Sequence, residues 1–237
     1  MTEPLLLIPG MMCDSRLYQR QIEHFSLERN VTIASMGKGE RIEEIASDIL
    51  MQAPVKFAMA GLSMGGIIAM EILRRAPERV TRICLMDTNP LAETPQSAAA
   101  YEPMIVGIKS GRMMDVLRGF LKPEFLAPGP GRMNVLNKSL EMAESLGPEA
   151  FLRQIKALQR RRDQQAVLRK CRVPALVMCG AHDGLTPPKR HEFMAELIPY
   201  AQLQIIEDAG HIPTLETPEV VNALLTNWLA QPYVLRE

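Results

Sequence analysis

The sequence predicts an α/β domain, with about six mostly parallel strands flanked by helices and a helical cap inserted after the fourth strand. Three observations predict it. Short apolar runs alternate with stretches of helical periodicity over residues 5–86 and again over residues 175–229. Between them, residues 89–163 hold amphipathic stretches and no strand-like run. Finally, the third apolar run opens into a helix through Gly61-Leu62-Ser63-Met64-Gly65-Gly66. Glycines two places before and after a serine are what a sharp strand-to-helix turn needs, because a Cβ there would collide with neighbouring backbone.

Leu5 to Ile8 is continuously apolar and stops at Pro9-Gly10, as a strand buried on both faces does. Asp14 or Ser15 can cap a helix running to about Phe25, with Tyr18, Ile22 and Phe25 as its buried face and His24 on its surface. A second strand is expected over 31–35 and a helix over 41–52, where Ile42, Ile45, Ala46, Ile49 and Leu50 follow a 3.6-residue period. A third strand, 55–60, runs into the serine turn; a helix follows over 64–75, stopped by Ala76-Pro77. The fourth strand, 80–86, ends in Asp87.

Helices are then expected near 96–109, 113–121, 133–146 and 149–160, separated by Pro123, Pro128, Pro130 and Pro148. The domain division follows: residues 1–88 and 164–237 form the core, and 89–163 form the cap. Arg160-Arg161-Arg162-Asp163 reads as a solvated return from cap to sheet. A fifth strand over 175–179 leads to the turn Gly180-Ala181-His182-Asp183-Gly184, and Pro187 or Pro188 opens a helix to about Ile198. The sixth strand, 202–206, leaves through Glu207-Asp208-Ala209-Gly210-His211, and Thr217 with Pro218 starts the last helix, through Leu229.

Composition narrows the function. The 237 residues carry 27 basic and 27 acidic side chains with no block of one sign, which argues against nucleic acid or an anionic membrane as partner and for a small molecule. The N-terminal apolar run lacks a basic flank and is too short for a signal peptide or a membrane span, so a cytoplasmic protein is expected. Cys13, Cys84, Cys171 and Cys179 show no CxxC pairing and read as reduced, buried thiols. The four histidines sit at no zinc-site spacing, so no metal is expected, and the serine chemistry set out next needs no cofactor. Monomer and homodimer stay equally open.

Ser63, Asp183 and His211 fall just past three different strand ends, in an order diagnostic of one hydrolase architecture. A serine hydroxyl needs an imidazole to take its proton, and the imidazole needs a carboxylate to fix its tautomer and stabilise its charged form. Asp87 is a rival acid, and Asp208 reads as capping its own loop.

Over nearly its whole length the chain resembles the α/β-hydrolase superfamily. Gly61 to Gly66 resembles the nucleophile elbow, Gly180 to Pro187 the acid turn, and Gly210-His211 with Glu216 and Pro218 the histidine loop. The resemblance implies a cap over the pocket, loss of the usual first two strands, and an oxyanion hole made by the backbone amide of Met64 and one on the loop after the first strand. Met11 is the choice for that second amide, with Met12 the alternative; Pro9 stands where the family usually has histidine. A serine nucleophile is unlike the haloalkane dehalogenase and epoxide hydrolase branches, which use aspartate. Leu62 resembles the enol-lactonase-like proteins, and Ile67 differs from the arginine usual in the menaquinone-pathway synthase.

The expected reaction is hydrolysis of a small to medium carboxylic ester or lactone through an acyl-enzyme. A carbon–carbon bond hydrolase or thioesterase is the alternative within the fold, and a ligand-binding receptor with little turnover is the alternative outside catalysis. Sixteen methionines are many; Met12, Met104, Met113 and Met114 are candidates to line an adaptable apolar pocket, although filling of core gaps explains most methionines equally well.

Overall fold

The computed structural model describes residues 2–232. Strands β1 (Leu5–Ile8), β2 (Val31–Ile33), β3 (Phe57–Leu62), β4 (Val80–Met86), β5 (Ala175–Gly180) and β6 (Gln202–Ile206) form one parallel sheet in the order β2-β1-β3-β4-β5-β6. Crossovers supply the helices: α1 (Gln19–Phe25) after a 3-10 turn Ser15–Tyr18, α2 (Ile42–Gln52) and α3 (Met64–Arg75). Asp14, rather than Ser15, caps that first turn, accepting from the Arg16 N–H.

Period-2 alternation explains why β1 is apolar throughout. Leu6 and Ile8 join the apolar layer that includes Ile45 of α2 and Ile68 of α3, whereas Leu5 and Leu7 join the layer around Phe25 and Trp228. Each face is therefore covered by helix, and removing each leucine or isoleucine from water contributes about 2 kcal/mol.

The segment between β4 and β5 carries α4 (Pro95–Ala99), α5 (Glu102–Lys109), α6 (Met113–Phe120), a 3-10 turn Pro123–Phe125, α7 (Arg132–Gln159) and α8 (Gln165–Arg169). The single helix expected over 96–109 is thus two. Thr94 and Ser97 form a reciprocal capping box that starts α4, and the chain re-enters helix at Glu102-Pro103, where proline has no N–H to continue the preceding one. The two helices expected over 133–146 and 149–160 run on as α7, but Gly147 adopts φ 81° and ψ 173° before Pro148 and breaks the axis where the sequence placed the boundary.

The chain closes with α9 (Pro188–Leu197), α10 (Pro213–Glu216) and α11 (Pro218–Leu229). Thr217 occupies the N-cap position of α11 but does not cap it through its side chain, because its hydroxyl donates instead to the Pro213 carbonyl at 3.4 Å. Among the described residues no helix is long and apolar enough to cross a membrane.

Sheet order fixes where a ligand can sit. β1 is flanked by β2 on one side and β3 on the other, so the crossovers leave in opposite directions there and a crevice opens beyond the carboxyl ends. Ile8 is in register with Gly61, which sets Pro9-Gly10-Met11 beside Ser63.

Candidate active site

Ser63 sits between β3 and α3 with φ 55° and ψ −117°, a left-handed conformation that costs a side-chain-bearing residue about 1–3 kcal/mol. The surroundings enforce it. The Ser63 N–H donates to the Met86 carbonyl at 2.9 Å, and the Ser63 carbonyl accepts from Gly66 N at 2.9 Å and from the Thr88 hydroxyl at 2.7 Å. Gly65 makes the turn possible, since a Cβ there would run into the Ile8 carbonyl oxygen.

Three strand ends converge on the serine. His211 Nε2 lies 3.1 Å from Ser63 Oγ, and its Nδ1 lies 2.9 Å from Asp183 Oδ2. Asp183 also accepts from the Leu185 and Thr186 backbone N–H groups at 2.8 and 2.9 Å and from the Thr186 hydroxyl. Burial opposes ionisation of Asp183, but the His211 charge and these hydrogen bonds prevail and hold its carboxyl below the usual range. The structure therefore brings all three expected side chains into one hydrogen-bonded line.

Asp87, the rival acid, lies beside this line and is fully buried. Its Oδ1 accepts from Gly180 N at 3.0 Å, and its carboxyl lies within hydrogen-bonding reach of the Asp183 side chain. Burial, then the nearby Asp183 charge, pushes its carboxyl well above the usual range, which favours a neutral acid. Asp87, Asp183 and His211 present possible ligand atoms within 4.8 Å of one another. Both imidazole nitrogens are already engaged and one carboxyl favours its proton, so the chemistry of this group fits proton handling better than a metal.

Above the serine lies a pocket of about 210 Å³. Met11, Met12 and Met64 line it together with Phe120, Phe125, Leu136 and Ile212. Met104, Met113 and Met114 do not: they are partly buried against the apolar layer that holds Ile45 and Ile68, where flexible side chains fill gaps between insertion helices and core. Residues of the segment between β4 and β5 supply much of the wall, and the Phe125 carbonyl accepts from His211 N at 2.7 Å.

Comparison with known proteins fits this geometry. A family model described as "Alpha/beta hydrolase family" matches residues 13–224. The chain belongs to the alpha/beta hydrolase family. A pimeloyl-acyl-carrier-protein methyl ester esterase of Aromatoleum aromaticum is 31% identical over 194 residues, covering 77% of each chain. A thermophilic esterase from Thermogutta terrifontis superposes with a TM-score of 0.87 at 25% identity, over 97% of this chain and 90% of that one. The enol-lactonase from Burkholderia xenovorans shares the fold at a TM-score of 0.85 and 21% identity, over 98% and 92% of the two chains.

The structure corrects two local readings of this hydrolase and bears on a third. Arg161, expected in solvent, is largely buried at the pocket wall, where it pairs with Glu93 at 2.9 Å and donates to the Leu91 carbonyl; a paired guanidinium can be buried where a lone one cannot. Asp208 is exposed, and the carboxylate that ties the histidine loop is Glu216, which accepts from Gly210 N, Ile212 N and Ala127 N at 3.0, 2.9 and 2.7 Å. Met12 has φ 55° and its N–H is taken by Gln154 Oε1 at 2.8 Å, so of the two oxyanion candidates Met11 is the one without that competing acceptor.

Sequence reasoning missed His191. It is fully buried on α9 and its Nε2 accepts from Thr88 N at 2.9 Å, bracing the threonine that holds the Ser63 carbonyl. Burial, against the attraction of the Asp183 charge, pushes this imidazole down to about 4 from the model-peptide 6.5. The unfolded chain therefore binds more protons than the folded one between those values, and stability falls as pH drops through that window. Going from pH 7.5 to 5 is expected to cost about 2 kcal/mol through this group. Urea unfolding of wild type and His191→Gln at both pH values checks this: the pH-dependent difference should shrink by that amount in the variant, and equal pH slopes would contradict it.

Proposed function

We propose that this hydrolase cleaves small to medium carboxylic esters or lactones through a covalent acyl-enzyme, with Ser63, His211 and Asp183 as catalytic triad. One observation carries the reading: the hydrogen-bonded line from Ser63 Oγ through His211 to Asp183 at the floor of a largely apolar pocket. The likeness to a methyl ester esterase and to a thermophilic esterase supports an ester as substrate.

In this mechanism Ser63 Oγ attacks the ester carbonyl carbon while its proton passes to His211 Nε2. Asp183 holds the Nδ1 proton and stabilises the imidazolium. The carbonyl oxygen, now an oxyanion, is received by the Met64 and Met11 N–H groups. Collapse breaks the bond to the alkoxy oxygen, which leaves with the proton from His211. A water then gives its proton to His211 and attacks the acyl carbon, releasing the carboxylic acid and restoring Ser63. Residues 89–163 serve as the cap that walls the pocket and excludes bulk water from it.

A rate panel tests the substrate class: p-nitrophenyl esters and methyl esters of graded acyl length, enol-lactones, thioesters and ring-cleavage dienones. The reading expects esters or lactones to show the highest kcat/KM. Preferred turnover of thioesters or dienones would reassign the reaction within the fold, and tight ligand binding without turnover would favour a receptor.

A further inference from the structure

The oxyanion loop is a turn closed by Cys13 N donating to the Gly10 carbonyl at 3.2 Å, with Met11 and Met12 as its central residues. Met12 has φ 55° at the third position of the turn, which type II turns reserve for glycine or asparagine. A methionine there has to be held. Two contacts hold its central peptide, one on each side: Gln154 Oε1 accepts the Met12 N–H at 2.8 Å, and the Cys13 thiol donates to the Met11 carbonyl at 3.5 Å. Of the two, the Gln154 bond is much the shorter, and it crosses 142 positions of sequence, from α7 to the loop after β1.

Gln154 is only 4% exposed, on the part of α7 that follows the Gly147-Pro148 break, between buried Phe151, Ile155 and Leu158. Its side chain therefore comes to the loop from the inserted helices and not from the sheet. Without that acceptor the Met11–Met12 peptide is free to turn over, which relieves the left-handed Met12 and unties the residue that offers the oxyanion amide.

We propose that Gln154 is a positioning residue for the oxyanion hole: its side-chain carbonyl locks the Gly10–Cys13 turn, so the Met11 amide is aimed at the oxyanion only while the second half of α7 is docked against the sheet. This rests on the ester-hydrolase reading given above. It makes the inserted segment part of the catalytic geometry as well as a pocket wall. Gln154 touches neither substrate nor the reacting atoms; it acts through Met12.

The experiment compares wild type, Gln154→Leu, Gln154→Asn and Gln154→Glu. Leucine removes the acceptor, asparagine keeps the amide but falls short of Met12 by one methylene, and glutamate keeps an acceptor at full length. Each is assayed for kcat and KM on p-nitrophenyl butyrate and for affinity toward butylboronic acid, which forms a tetrahedral adduct with a reactive serine; thermal melting reports folding. For Gln154→Leu and Gln154→Asn the expected results are a ten- to hundredfold fall in kcat, KM within about twofold, and boronate affinity weakened by a factor similar to the loss of kcat. Gln154→Glu should recover most of both. Should leucine not fold, asparagine carries the same test with a polar side chain. A folded variant of either kind with kcat and boronate affinity within twofold of wild type overturns the proposal, as does a loss confined to KM. If wild type itself neither hydrolyses the ester nor binds the boronate, the ester-hydrolase reading fails instead.

Discussion

Ser63→Ala should lower kcat on the best ester by about 10⁴-fold or more while leaving the fold intact. The hydroxyl is the group His211 Nε2 faces at 3.1 Å, and alanine removes the attacking atom without disturbing the turn. Alanine fits the serine backbone: the bonds that hold φ at 55° are made by the Ser63 N–H and carbonyl, and both survive. A melting temperature within a few degrees of wild type, together with collapsed turnover, is the expected pair of results. A receptor on this fold would instead keep its ligand affinity and have no turnover to lose.

The second large effect separates two neighbouring carboxyls. Asp183→Asn is expected to cost about 10⁴-fold in kcat, because an amide cannot both hold the Nδ1 proton and stabilise the imidazolium. Asp87→Asn is expected to cost less than about tenfold. Asp87 favours its neutral form, and asparagine keeps a neutral side chain of the same shape with an oxygen to accept from Gly180 N. Steady-state kinetics on the two purified variants decides it: equal losses, or a larger loss at Asp87, would transfer the acid role to Asp87.

The contrast between these residues shows what the sequence could and could not reveal. Strands β1, β3 and β5 were legible because burial on both faces leaves a continuous apolar run that nothing but glycine interrupts, and β4 because Ile83 to Met86 keep such a run after Thr81 and Arg82. The elbow was legible because backbone crowding at Gly61 and Gly65 admits only glycine, a constraint written directly in residue type. The expected triad positions came from strand ends, which the same apolar runs mark.

Short elements were not legible. The turn Pro123–Phe125 and helix α10 span less than the periodicity needs to show itself, yet the first supplies the carbonyl that accepts from His211 N and the second carries Glu216, which ties the histidine loop. Buried polar contacts were hidden for a different reason. Arg161 sits in a run of charge that reads as solvated, and only its meeting with Glu93 makes burial tolerable. His191 and Gln154 act on Thr88 and Met12 across 103 and 142 positions, and no local pattern encodes a partner at that distance.

The central claim is that Ser63 is a nucleophile activated by its partners. The most direct measurement is intact-protein mass spectrometry with peptide mapping after brief exposure to a fluorophosphonate. One adduct on the peptide containing Ser63 is predicted, formed by native wild type, slowed strongly by Asp183→Asn, and absent from Ser63→Ala and from urea-unfolded protein. No adduct on folded wild type, or an adduct that persists in Ser63→Ala, would contradict the account.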